Sequence, residues 1–204
     1  MLGPDATQAL RRRGQRRQFR RREVLFRQGD VGDSVHVIER GHVVVKGERT
    51  PGETLTLAVL GPGDYFGDVA VLSTGGRRSA GVETLDPCVT FVVKGTDFVE
   101  LRDRYPEIRR AMTESLARMC RRLVERLVDG RHMDARGRLT RQLLRLQELF
   151  GGDIPFTQED LANYVGVTRV TVNQLFSALA DEGLVEVRRG AVRVTDVAAL
   201  RDQI

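Results

Sequence analysis

An α+β chain is predicted, in the order N-terminal β-roll of the jelly-roll kind, long helix, C-terminal winged helix-turn-helix. Three observations predict it. Twelve glycines fall between residues 29 and 95, separated by short β-branched runs, against only seven between residues 96 and 204. Residues 107–129 contain neither glycine nor proline. Residues 157–194 read as two short helices about a glycine, followed by a hairpin.

In chain order, the first feature is charge. The 204-residue chain has a formal net charge of +5, yet residues 11–22 alone hold eight arginines and no acid, so the remainder sums to −3. The excess therefore belongs to one segment and not to a basic domain. That segment is expected to be a solvated basic N-terminal tail, with a contact to phosphate or to an acidic partner as the alternative.

The runs Val35-His36-Val37-Ile38, Val43-Val44-Val45, Leu55-Thr56-Leu57-Ala58-Val59 and Val89-Thr90-Phe91-Val92-Val93 then recur between turn signals. Such spacing is the pattern of an all-β roll, sandwich or barrel. Within it stands Gly63-Asp64-Tyr65-Phe66-Gly67-Asp68, followed by Arg77-Arg78-Ser79-Ala80. A glycine lets backbone N–H groups approach an anion, an adjacent acid accepts from a ribose hydroxyl, and an arginine with a serine clamps a phosphate. Gly67, Asp68, Arg78 and Ser79 are therefore the candidate effector residues.

From Glu107 to Asp129 the chain is expected to be one helix of about 35 Å, with Pro106 in its first turn and Gly130 closing it. Ile108, Met112, Leu116, Met119, Leu123 and Leu127 lie at spacings that form one apolar stripe, and Cys120, Val124 and Val128 widen it. The stripe is longer than a small roll can cover, which favours a two-chain coiled coil over a helix lying on its own domain.

Arg138–Phe150 reads as an amphipathic helix stopped by Gly151-Gly152. Thr157-Gln158-Glu159-Asp160 has the form of a capping box. A short helix ending near Val165 meets Gly166, and Thr168 can cap a second helix running to about Asp181. Leu161, Val165, Val167, Val172, Leu175 and Leu179 are spaced to be buried between the two helices, a helix-turn-helix. The second helix then presents Arg169, Val170, Asn173 and Gln174, with Thr168 and Thr171 at its start. Arginine pairs with guanine, Asn and Gln with adenine, and valine touches a thymine methyl. Leu184–Val194 turns at Arg189-Gly190 as a wing. Residues 134–204 carry nine arginines and ten acids, so phosphate contacts are expected from a local face of Arg136, Arg138, Arg169, Arg188, Arg189 and Arg193. Asp153, Asp181 and Glu182 are expected to turn away from it. Gln158, opening the first helix, completes the candidate DNA contacts.

Other chemistries fit poorly. Cys88 and Cys120 do not form a CxxC, and His36, His42 and His132 do not cluster, so no metal site is expected. Gly32–Glu39 partly resembles a cupin motif but lacks its second histidine, and no Ser/His/Asp or Cys/His pair is close in sequence. The chain is not expected to be an enzyme. No apolar run approaches the length that spans a bilayer and no secretory signal is apparent, so a cytoplasmic protein without membrane contact is expected.

The order of roll, long helix and winged helix-turn-helix resembles the CRP/FNR superfamily of bacterial transcription regulators from about Val24 to Val194. The resemblance rests on Gly67 with Arg78-Ser79-Ala80, on Asp134 with Gly137-Arg138, and on Thr168-Arg169 with Thr171-Val172. It implies a cyclic-nucleotide-binding-like roll over residues 1–106, a dimerisation helix and hinge over 107–133, and a DNA-binding domain over 134–204. It further implies a homodimer on a two-fold-symmetric operator, contact with RNA polymerase, an activator's role, and an effector in the roll acting through the helix. Cyclic AMP or another small anionic effector would occupy that site. Three departures stand against cyclic AMP in the usual pose or against the usual operator. Asp68 replaces the glutamate that follows the cassette glycine in the cyclic-AMP receptor members. Leu123 and Val124 stand where those members offer Thr and Ser to the adenine. Val170 stands where they have a glutamate, and the string Thr168-Arg169-Val170-Thr171-Val172 looks more like the cyanobacterial nitrogen-control regulators, whose effector is 2-oxoglutarate. A protein independent of any effector stays open, as does a cyclic-nucleotide-binding regulatory module that acts through protein–protein contacts.

Overall fold

The computed structural model describes residues 4–50 and 53–204. They form two compact units that divide between Leu123 and Val124.

The first unit opens with α1 (Pro4–Arg13), β1 (Gly14–Phe19) and β2 (Val24–Phe26). It continues through β3 (Ser34–Arg40), β4 (Val43–Thr50), β5 (Glu53–Leu60), β6 (Tyr65–Phe66), the short α2 (Asp68–Leu72), β7 (Gly81–Thr84) and β8 (Cys88–Lys94). α3 (Gly95–Arg104) and α4 (Pro106–His132) follow. The strands make two four-stranded antiparallel sheets, ordered β1-β8-β3-β6 and β2-β7-β4-β5. Alternation along β3 serves two cores at once, because successive side chains leave opposite faces of a strand. Ile38 joins Val43, Phe66, Val82 and Cys88 between the sheets. Val35, on the other face, joins Val93, Leu10 of α1, Phe98 and Leu101 of α3, and Ile108 and Met112 of α4. A glycine is required at residue 41, with φ of +79°, because an added Cβ would stand 2.5 Å from the Pro87 carbonyl.

Two expectations are corrected here. The arginine-rich segment is not a tail: it supplies the end of α1 and all of β1, an edge strand paired with β8 from Gly14↔Val93 to Phe19↔Cys88. Its charges also find carboxylates. Arg13 forks onto Glu100 at 2.6 and 2.9 Å, and Arg16 reaches Glu39 at 2.6 Å. Charge composition alone suggested a solvated segment, but Phe19 packs on the core between the sheets and anchors the strand. Gly130 likewise does not close the long helix, which runs on to His132. A helix-interior glycine costs only about 1 kcal/mol relative to alanine, and the next helix begins at its own cap two residues past His132.

The second unit holds the last turns of α4, then α5 (Ala135–Phe150), α6 (Gln158–Val165), α7 (Arg169–Asp181), the hairpin β9 (Val185–Arg188) and β10 (Ala191–Val194), and α8 (Val197–Arg201). Asp134 caps α5 by accepting from the Gly137 N–H at 2.8 Å, and Gly151 ends it in the left-handed conformation, φ 64°. Leu139, Leu143, Leu146, Ile154, Phe156, Leu161, Phe176, Leu179 and Leu200 are fully buried. Ile154 exchanges two backbone hydrogen bonds with Val192, adding a short third strand to the wing.

Candidate nucleic-acid interface and β-roll site

The helix-turn-helix is built by three local devices. Thr157 Oγ1 accepts from the Asp160 N–H at 3.1 Å while Asp160 Oδ2 accepts from the Thr157 N–H at 3.0 Å, a complete capping box at the start of α6. Gly166 ends α6 at φ +75°, a conformation glycine adopts without the Cβ penalty. Thr168 Oγ1 then accepts from the Thr171 N–H at 3.1 Å and starts α7. Val172, Phe176 and Leu179 turn inward, opposite Leu161 and Val165 of α6. Val167 and Leu175, expected to be buried with them, are only half-buried, and Phe176 takes the central place that the sequence reading gave to Leu175.

With that face committed, Val170, Asn173 and Gln174 stand exposed on the other, Val170 at 66%, and Arg169 is exposed at the open N-terminal end of the helix. No ion pair engages Arg169 among the described residues. Thr168 and Thr171 share a 2.8 Å hydroxyl contact, so their hydroxyls are first of all part of the cap. Gln158 is half-buried in the first turn of α6. The wing turns at Arg189-Gly190, with Gly190 at φ 72°.

The basic face is smaller than the sequence suggested. Asp153 and Glu182 were expected to turn away. Instead Glu182 accepts from Arg136 at 2.6 Å, and Asp153 sits between Arg193 at 2.6 Å and Arg188 at 3.3 Å, Arg188 also reaching Glu186 at 2.8 Å. Arg193 holds the Asp153 carboxyl below the usual range, and Arg136 does the same to Glu182. Arg138 is half-buried and donates to the Met133 carbonyl at 2.9 Å. Arg169 and the wing-tip Arg189 remain exposed without a carboxylate among the described residues.

In the roll, the structure brings Gly67 and Arg78 together but turns the arginine inward. Arg78, only 5% exposed, donates through Nη1 to the Ser34 carbonyl at 2.7 Å and the Gly67 carbonyl at 2.9 Å, and through Nη2 to Ser34 Oγ at 3.0 Å. Its guanidinium carbon lies 4.1 Å from the centroid of the Phe26 ring, and its buried Nε has no partner. A Cβ at residue 67 would stand 2.5 Å from Nη1. Ser79 is exposed, and burial raises the Asp68 carboxyl pKa. Leu123 and Val124 are exposed on α4. Against cyclic AMP in its usual pose, Arg78 Nη1 and Nη2 already have acceptors, although Nε does not, and neither Leu123 nor Val124 can hydrogen-bond a base. Ser34 and Phe26 were missed from sequence: Ser34 lies in the Gly32–Glu39 run, which was weighed only for its histidine, and Phe26 sits in no motif.

His36 and His42 both have partners within the roll. His36 is buried, its ring stacked on Phe66 with centroids 4.9 Å apart and Nδ1 3.2 Å from Thr90 Oγ1. His42 Nδ1 is 2.7 Å from Asp86 Oδ2.

Comparison with known proteins matches residues 16–105 to the cyclic nucleotide-binding domain and residues 137–203 to the Crp-like helix-turn-helix domain. The chain is 31% identical over 202 residues to a CRP-like cAMP-activated global transcriptional regulator of Mycobacterium tuberculosis, covering 95% of this chain and 89% of that one. It is 30% identical to the cyclic AMP receptor protein of Thermus thermophilus, covering 98% and 93%. The fold superposes on the c-di-GMP responsive regulator CLP of Xanthomonas campestris with a TM-score of 0.83 at 19% identity, covering 95% of this chain and all of that one.

Burial holds the His36 pKa down to about 4, with the Arg78 and Arg17 charges adding to the effect. An unfolded imidazole titrates near 6.5, so between these values the unfolded chain binds the proton first. The stabilisation is complete above pH 6.5 and falls away toward pH 4, by about 3 kcal/mol at most. Urea midpoints should therefore drop more steeply from pH 7 to 4.5 in the native chain than in His36→Phe. Equal slopes in the two proteins would exclude the imidazole as the source.

Proposed function

The chain belongs to the CRP/FNR superfamily of transcription regulators, and from that premise we propose that it acts in the cytoplasm as a homodimeric activator on a two-fold-symmetric operator. Its cyclic-nucleotide-binding-type and Crp-like helix-turn-helix domains make it a CRP-like DNA-binding regulator and not an enzyme. The carrying observation is the exposed surface of the capped helix α7, with Arg169 at its N-terminal end and Val170, Asn173 and Gln174 on its outer face. In this reading residues 1–106 are the sensor, 107–133 the dimerisation helix and hinge, and 134–204 the reader.

Arg169 donates to one guanine per half-site, Asn173 and Gln174 face adenines, and Val170 prefers a thymine methyl to a cytosine. Thr168, Thr171, Gln158, Arg136 and Arg188 hold phosphates. The occupant of the α4 stripe is a second copy: Leu116, Met119, Leu123, Val124, Leu127 and Val128 are all exposed, Leu127 at 72%. A pairing of two such helices sets the two recognition helices one duplex turn apart, about 34 Å. Activation from that complex entails a contact with RNA polymerase.

The M. tuberculosis and T. thermophilus relatives are named for cyclic AMP. For this chain we read operator binding as independent of cyclic AMP, supported by apolar Leu123 and Val124 and by the engaged Arg78. A smaller anion seated by Arg78 and Ser79 is the alternative.

Arg169→Ala should weaken operator binding in gel-shift titrations by about 1–3 kcal/mol per half-site, and unchanged affinity would remove Arg169 from the mechanism. The double change Leu123→Asp and Leu127→Asp should convert a dimer to a monomer in sedimentation and abolish operator binding. Calorimetry with cyclic AMP should give no saturable heat in the micromolar range, whereas micromolar binding would overturn the effector reading.

A further inference from the structure

The wing is a small sheet in which β10 pairs with β9 and, through Val192, with Ile154. Residues opposite one another in an antiparallel pair share a face, and successive residues alternate between faces. Ile154, Val192 and Val194 are buried and define the inner face. Glu186, Arg188 and Arg193 therefore lie on the outer face, and so does Asp153, the residue before Ile154. All four are exposed. They form one group of two cations and two anions: Arg193 Nε donates to Asp153 Oδ1 at 2.6 Å, Arg188 Nη1 to Asp153 Oδ2 at 3.3 Å, and Arg188 Nη2 to Glu186 Oε2 at 2.8 Å.

Exposed ion pairs are weak chiefly because two long side chains must be ordered to make them. That cost is lower for Asp153, whose side chain is short and whose backbone is fixed. Gly151 turns the chain out of α5 in the left-handed conformation, and Ile154 exchanges hydrogen bonds with Val192 at 2.8 and 2.9 Å. The carboxylate is thus carried to the arginines by the backbone. Each of its oxygens accepts from a different guanidinium, one on each strand of the hairpin. Two arginines clamp a phosphate with the same bonds, charge-assisted N–H groups on separate oxygens of one anion. The outer face of the wing is a phosphate-type seat filled by the chain's own carboxylate, and its net charge is zero.

We propose that Asp153 is an internal competitor for the DNA backbone, holding Arg188 and Arg193 off a duplex until a phosphate displaces it. The inference rests on the DNA-binding reading above and adds to it a residue that opposes binding. With Asp153 in place, a duplex of arbitrary sequence gains little from this face of the wing, and sequence-independent affinity, which is set by phosphate neutralisation, stays low. Removing the carboxylate charge leaves the group at +1 and the seat open to a phosphate.

The test titrates the full chain and its variants with a mixed-sequence duplex, by fluorescence anisotropy over a range of salt. Asp153→Asn keeps the shape of the side chain and an acceptor for Arg193. It should bind the duplex about fivefold more tightly at ~0.1 M salt, and the slope of log K against log salt should steepen by about 0.9, the mark of one further phosphate held. Asp181→Asn makes the same charge change on an exposed acid at the end of α7 and should alter affinity less than about twofold. The triple change Asp153→Asn with Arg188→Gln and Arg193→Gln should lose the gain. Asp153→Ser gives the same readout if Asp153→Asn does not fold. Unchanged affinity and slope on neutralising Asp153 would overturn the proposal, and so would equal tightening by Asp181→Asn or a gain that the triple variant retains. A native chain that binds no duplex at any salt would instead remove the DNA-binding reading and this inference together.

Discussion

The burial of Val172, Phe176 and Leu179 against α6 governs the face that α7 shows to solvent. Each such side chain contributes about 1.5–3 kcal/mol when removed from water, whereas any one polar contact on the outer face is worth less. At 3.6 residues per turn, seating positions 172, 176 and 179 inward leaves 170, 173 and 174 outward, while Arg169 lies in line with the inward stripe and is exposed because it is the first residue of the helix. The exposed residues of α7 are thus placed by an apolar constraint, and they need only be compatible with it. Gly166 and the Thr168 cap add the second half of that constraint by fixing where α7 begins.

Charge acts on this frame with less authority. Residues 134–204 hold nine arginines against ten acids, and the acids Asp153, Glu182 and Glu186 lie on Arg193, Arg136 and Arg188. Exposed ion pairs are worth about 0–1 kcal/mol, so a phosphate can exchange with a carboxylate at small free-energy expense. An arginine already balanced by a carboxylate must give up that pair before it neutralises a phosphate and releases the cation condensed on the duplex there. In the proposed reading, attraction to any duplex therefore rests mainly on Arg169 and Arg189, and selectivity weighs more heavily on base contacts.

Much of this was legible in the sequence because it is local. Thr157 with Asp160, Gly166, Thr168, Gly151 and Arg189-Gly190 each specify a cap or turn over a few residues, and the structure places each of them as read. What escaped depends on residues distant in sequence. Arg13 meets Glu100 and Arg136 meets Glu182, separations of 87 and 46 residues that composition cannot foresee. Gly130 was read as a stop because glycine is common at helix ends, yet no left-handed turn is built there. Phe176 and Leu175 differ by a single helical step, too fine a distinction for an apolar pattern alone.

The β-roll shows how one motif can serve two arrangements of the same atoms. Gly67 and Arg78 at this spacing mark an anion cradle, and the glycine is needed, but here it makes room for the arginine itself. The guanidinium is buried against carbonyl and hydroxyl acceptors, and burial lowers its pKa. Bonds from a cation to an anion are roughly twice as strong as neutral ones, so an incoming anion gains only the difference after Ser34 and Gly67 are released. The Phe26 stacking is lost as well unless the side chain moves along the ring. Affinity at this site is therefore set by the contacts Arg78 must give up as much as by those it can make. An anion that also engages exposed Ser79 overcomes that deficit better than one relying on the guanidinium alone.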